Sequence, residues 1–110
     1  MLRVCLFSLV FALTGCGGLG DDTGSTCPTD SMLTYENFGQ PLFAENCSCH
    51  VSGGQSPSFD TLAHIQANAG DIDKAAAAGP DAVNDFMPED KSMPEATRRQ
   101  LGEWLACGAP

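Results

Sequence analysis

The chain has 110 residues, 14 of them acidic and only 5 basic, for a formal net charge of −9. That length supports one small domain with a thin core, of the kind that depends on a staple or a cofactor. The charge argues against nucleic acid, whose binding draws on Lys and Arg against phosphate, and suits either plain solubility or a partner with a basic face.

The chain starts with the short basic Met1-Leu2-Arg3, followed by an apolar run from Val4 to Leu13. The run has the length of a signal-peptide core and is too short for a lasting bilayer span. It closes on Leu13-Thr14-Gly15-Cys16, which resembles the lipobox of bacterial lipoproteins. That resemblance implies cleavage after residue 15 and lipidation of Cys16. Several acyl chains on one residue would give a firm membrane anchor. An ordinary secretory peptide with an incidental cysteine is the plainer alternative, and both place the mature chain outside the cytoplasm. Residues 17–26 are small and polar and read as a flexible tether, giving a division into signal 1–15, lipidated tether 16–30 and domain 31–110.

The domain reads as all-α. Thr34 can cap a helix carrying Tyr35, Phe38, Leu42 and Phe43 on one face, with Gly39 and Pro41 weakening or kinking it. A second helix is expected from near Asp60, with Leu62, Ile65 and Ala69 inward, and a third over Asp71 to Ala78, stopped by Gly79-Pro80. An irregular stretch from Asp81 to Ser92 contains Met87-Pro88. The final helix starts near Pro94, sets Leu101, Trp104 and Leu105 on one face, and ends at Cys107-Gly108. No segment alternates as a strand.

Six cysteines need assignment. Cys5 leaves with the signal segment, Cys16 takes lipid, and Cys47 and Cys49 belong to a central motif. Cys27 and Cys107 flank the domain and are the natural disulfide in an oxidising compartment. Closing a loop of that length is worth roughly 4 kcal/mol in the chain-entropy treatment. A short-loop Cys47–Cys49 disulfide is the rival pairing.

The central motif, Cys47-Ser48-Cys49-His50, has the ending of a c-type haem attachment site but lacks one residue of C-x-x-C-H. It follows an aromatic-bearing helix and precedes both Met87-Pro88 in a loop and a closing helix with Leu101-Gly102-Glu103-Trp104-Leu105. In this order the chain, over residues 33–110, resembles a small class I cytochrome c, and more narrowly the short cytochrome-c-like lipoproteins of bacterial envelopes. The resemblance implies a cytochrome c-like bundle of about four short helices whose first and last helices cross. It also implies haem c bound through the cysteines, with iron held by His50 and a loop methionine. His/Met ligation favours the ferrous state and suits single-electron transfer. The expected protein is thus an electron carrier, not an enzyme, lipid-anchored in the bacterial cell envelope and facing periplasm or exterior. Its partner would be a redox protein, with a basic docking face as one option.

Met93-Pro94 repeats the methionine–proline dipeptide; Met87 is preferred as ligand because it lies mid-loop, whereas Met93 abuts the last helix. His64, among polar neighbours on the second helix, reads as a surface histidine. The shortened motif separates the two cysteines by about 200° on a helix, so one thioether through Cys49, with Asn46 in the usual place of the first cysteine, is the simplest attachment. Two other classes stay open. One is a haem-free structural or binding lipoprotein on the same scaffold. The other is a copper(I) site at Cys47, Cys49 and His50, whose donors suit a soft metal. Nothing in the chain forms an acid–base pair, an activated nucleophile or a phosphate loop.

Overall fold

The computed structural model describes residues 19–47, 50, 54, 57–89 and 91–110, and every regular element among them is helical. Thr34 opens the first element with a capping box: its hydroxyl accepts from the Asn37 amide at 3.1 Å, and the Asn37 side chain accepts from the Thr34 amide at 2.8 Å. The chain then makes a π-helical turn, Tyr35–Gly39, before tightening into α1, Gln40–Asn46. Pro41, which has no N–H to donate, lies in the first turn after that change of register.

Helix α2, Leu62–Ala67, is capped by the Thr61 hydroxyl and ends at Asn68. Asn68 then serves as the N-cap of α3, Ala69–Ala76. The break falls here because the Asn68 side chain bonds back to the His64 carbonyl at 2.8 Å, while its backbone leaves the helical region. The second helix is therefore shorter than expected, and Ala69 opens the third. Beyond α3 the chain runs extended and buried through Ala77 and Ala78, where a lone antiparallel bridge pairs Ala78 with Val83. Helix α4, Glu95–Ala106, follows Pro94.

The core forms around Trp104, which is fully buried, together with Leu42, Phe43, Ile65, Ile72 and Leu101. Phe38 meets the Trp104 ring edge-on at 5.9 Å and Phe43 tilts against it at 6.4 Å, so the first helical segment packs on the last. Gly39 makes this approach feasible: a Cβ there would fall 2.5 Å from the indole. The Trp104 indole N–H and the Tyr35 amide both donate to the main-chain oxygen of Pro110, at 3.3 and 2.6 Å.

The expectation of a flexible tether through residue 30 is corrected from Gly20 onward. The Gly20 amide donates to the Lys74 carbonyl at 2.9 Å, and the Asp21 amide to the Asn84 side chain at 3.2 Å. Thr23 is fully buried, with its amide and hydroxyl both donating to the Asp73 carboxylate at 2.9 and 2.7 Å. Ser25 fits over Gly102, where a Cβ would stand 2.7 Å from the Ala78 carbonyl. Small polar residues here satisfy buried acceptors, and this strap ends where Cys27 joins Cys107 in a disulfide, with Cα atoms 4.8 Å apart.

Replacing both Cys27 and Cys107 by Ser reopens a loop with a sequence separation of 80 residues. Urea unfolding of the double variant is expected to show a loss of about 2–5 kcal/mol; an unchanged midpoint at unchanged slope would mean that the disulfide adds nothing to stability.

Candidate functional site

The C-terminal end of α1 delivers Cys47, whose amide closes on the Phe43 carbonyl at 2.9 Å and whose side chain is half-buried against the core. Ser48 and Cys49 lie outside the described residues, as do Cys16 and the segment read as a signal. His50 follows in a turn, its amide donating to the Cys47 carbonyl at 3.0 Å. Its imidazole is fixed on two sides. Nδ1 lies 2.8 Å from the Pro57 carbonyl oxygen, and the ring stacks at a tilt on Phe59, 4.7 Å between centroids. Phe59 in turn meets Phe43 edge-on at 5.5 Å, which links the imidazole to the core. A carbonyl can only accept, so the Pro57 contact places the proton on Nδ1 and leaves the lone pair on Nε2. This is the arrangement by which proteins prepare a neutral histidine as a metal ligand.

Met87 is half-buried against the core; its amide donates to the Ala75 carbonyl at 3.0 Å, and its peptide bond to Pro88 is cis. Met93 is buried, 6% exposed, and belongs to the core itself. One side chain organises both. Arg98, on the inward face of α4 and 5% exposed, donates from Nη1 to the carbonyls of Ala76, Asn84 and Met87 at 2.9, 3.0 and 2.7 Å, and from Nε to that of Met93 at 3.1 Å. Asn84, also buried, carries the pattern outward, its side-chain amide donating to the carbonyls of Asp21 and Asp73. Lys91 ties the methionine loop to the motif: its Nζ donates to the Glu45 carbonyl at 2.6 Å, two residues before Cys47.

Neither Arg98 nor Asn84 was singled out by the sequence reading. Arg98 did carry a signal, since it stands three residues before Leu101 and shares its apolar face. Asn84 carried none.

A cleft of about 550 Å³ opens beside the methionine loop, lined by Phe86, Pro88, Lys91, Met93, Glu95 and Arg98 among others; neither Cys47 nor His50 lines it. His64 is exposed and paired with Asp60 at 3.0 Å, a surface contact remote in character from the tethered ring of His50. Among the described residues no cluster of three His, Cys, Asp or Glu side chains is arranged to hold a metal, and no helix is long and apolar enough to cross a membrane. No protein-family model, curated protein or solved structure matches the chain.

Removing the guanidinium strands four carbonyls at once. Arg98→Met is expected to cost about 2–4 kcal/mol in urea unfolding, and Arg98→Lys to recover only part of it, because one ammonium cannot reproduce the planar fork. Full recovery by Lys would reduce the role of Arg98 to its charge.

Proposed function

We propose that this chain is a small cytochrome c-like electron carrier, anchored to a bacterial envelope membrane through a lipidated Cys16. The observation that carries the reading is the His50 imidazole, bonded through Nδ1 to the Pro57 carbonyl and packed on Phe59, which leaves Nε2 to face a metal. It is supported by a half-buried methionine in a loop held by Arg98 and joined to the motif helix by Lys91. The contact of the first helical segment with α4 through Trp104 agrees with the crossing that a cytochrome c-like bundle calls for.

The donor types are those that haem c takes: cysteine thiols, an imidazole and a methionine thioether. Cys49 would form the thioether, with Cys47 as the second candidate, and His50 and Met87 would hold the iron. Haem, when bound, supplies a single-electron iron couple whose ferrous state His/Met ligation favours. The chain's own contributions are separate from that chemistry. His50 is held in one tautomer and one orientation by Pro57 and Phe59. The Arg98 guanidinium fixes the backbone on which Met87 is presented. Phe59 packs edge-on on Phe43, and Phe43 tilts against Trp104, so an apolar row runs from the imidazole into the core. Acidic side chains outnumber basic ones on the surface and would select a redox partner with a basic docking face.

A haem-free lipoprotein on the same scaffold is the second reading. It is favoured by one observation, that the cleft beside the methionine loop is not shared with His50 or Cys47.

The deciding experiment is the alkaline pyridine spectrum of protein exported from a host with c-type maturation. The proposal expects haem that stays on the chain, with a band position indicating one saturated vinyl. His50→Ala is expected to abolish haem retention. Met87→Ala should lower the reduction potential by on the order of 0.1 V or more. Met93→Ala should leave the potential in place and lower stability by about 2–5 kcal/mol. A folded, colourless protein would sink the carrier function in favour of the scaffold, with metal analysis then testing for copper.

A further inference from the structure

We propose that the domain rests directly against the lipid surface, with the face that carries Leu19, Val83 and Phe86 turned towards it. The inference builds on the lipid anchor at Cys16 proposed above and adds an orientation to it.

The first argument is the length of chain that remains outside the fold. A tether free from residue 16 to residue 30 would reach about 50 Å at full extension and leave the domain's orientation unconstrained. The strap removes most of that length. Gly20 is already docked on the Lys74 carbonyl at 2.9 Å, Asp21 on Asn84 at 3.2 Å, and Thr23 is fully buried on Asp73. Only the four peptide steps from Cys16 to Gly20 remain, a reach of about 14 Å at most. The headgroup layer on one side of a bilayer is about 5–8 Å deep, which uses up about half of that reach. A domain on so short a leash cannot turn an arbitrary face to the membrane; it presents the surface around the docking points of the strap.

The second argument is the chemistry of that surface. The exposed large apolar side chains among the described residues are Leu19, Met32, Val83 and Phe86, at 41, 79, 50 and 48% exposure. Three of these four border the strap's entry. Leu19 precedes Gly20, and Val83 and Phe86 lie within two residues of Asn84, which is itself turned inward and 4% exposed. Apolar side chains of this size insert shallowly at a membrane interface. Asp21, Asp22, Asp81 and Asp85, within two or three residues of these docking points along the chain, are exposed as well. The surface therefore fits a zwitterionic bilayer, and an anionic one repels it at low ionic strength.

The test uses the full mature, lipidated chain in phosphatidylcholine vesicles, with a photo-crosslinking residue in the variant Phe86→p-benzoylphenylalanine and, as a control, in Met32→p-benzoylphenylalanine. Lipid adducts are expected at least five-fold more often at position 86 than at position 32. Inserting a 15-residue Gly/Ser stretch between Gly17 and Gly18 should lower the adducts at 86 several-fold. Replacing part of the lipid with phosphatidylglycerol should lower them at low salt, with recovery as salt is raised. Equal yields at the two positions, or yields at 86 that ignore the longer leash, would overturn the orientation. The mass of the N-terminal peptide is read on the same sample. An acylated Cys16 with no adduct at 86 overturns this proposal alone, whereas an unacylated Cys16 overturns the anchor and the orientation together.

Discussion

The guanidinium of Arg98 is the interaction on which the rest of the structure depends. It is a buried cation that, among the described residues, is held by four backbone carbonyls and by no carboxylate. The arrangement is stable because each acceptor would otherwise be a desolvated oxygen without a donor. The Ala76 carbonyl belongs to the final residue of α3, where helical carbonyls lack partners and the negative end of the helix dipole favours a cation. The other three belong to Asn84, Met87 and Met93, which lie outside the helices. One side chain thus ends a helix, shapes a loop and holds that loop to α4, and both methionines considered as ligands are attached to it through their backbone.

Around this centre the strap and the two ends of the domain interlock. Asp73 on α3 turns its carboxylate to Thr23 and its carbonyl to Asn84, while Asn84 gives its own carbonyl to Arg98. The N-terminal strap is therefore two hydrogen bonds removed from the guanidinium. The same economy appears at Pro110, whose main-chain oxygen receives both the Trp104 indole and the Tyr35 amide. In a chain with so few large apolar residues, polar contacts of long sequence separation do much of the work of a larger core.

Local signals were legible in the sequence and distant ones were not. The capping threonine at 34 and the Leu101 and Trp104 face of the last helix follow from residue type and period, and they stand where the period puts them. The break at Asn68 was not legible, because a side chain that bonds its own backbone leaves no mark on hydrophobic spacing. The strap was misread for a related reason: Gly, Thr, Ser and Asp are the residues of a linker when their polar groups meet water, and of a docked segment when Asp73 and Asn84 meet them instead. Of the candidate site, the identity of His50 was readable but its anchoring by Pro57 was not, since a carbonyl contact carries no residue preference. Met93 shows the opposite case. Its place beside a helix start suggested packing, and it is buried.

Under the export proposed above, with the mature amino end leading, the long separations of these contacts have a consequence. Thr23 waits for Asp73, Asp21 for Asn84 and Tyr35 for Pro110, so the leading part of the polypeptide arrives before these distant partners. The strap from Gly20 to Ser25 cannot dock until residues 73–84 have followed it, whereas the Thr34 capping box, closed within three residues, can set early. Cys47 and His50 also emerge before the Arg98-centred loop exists, so the motif is presented on an open chain, where a modifying enzyme can reach side chains that the finished fold half buries.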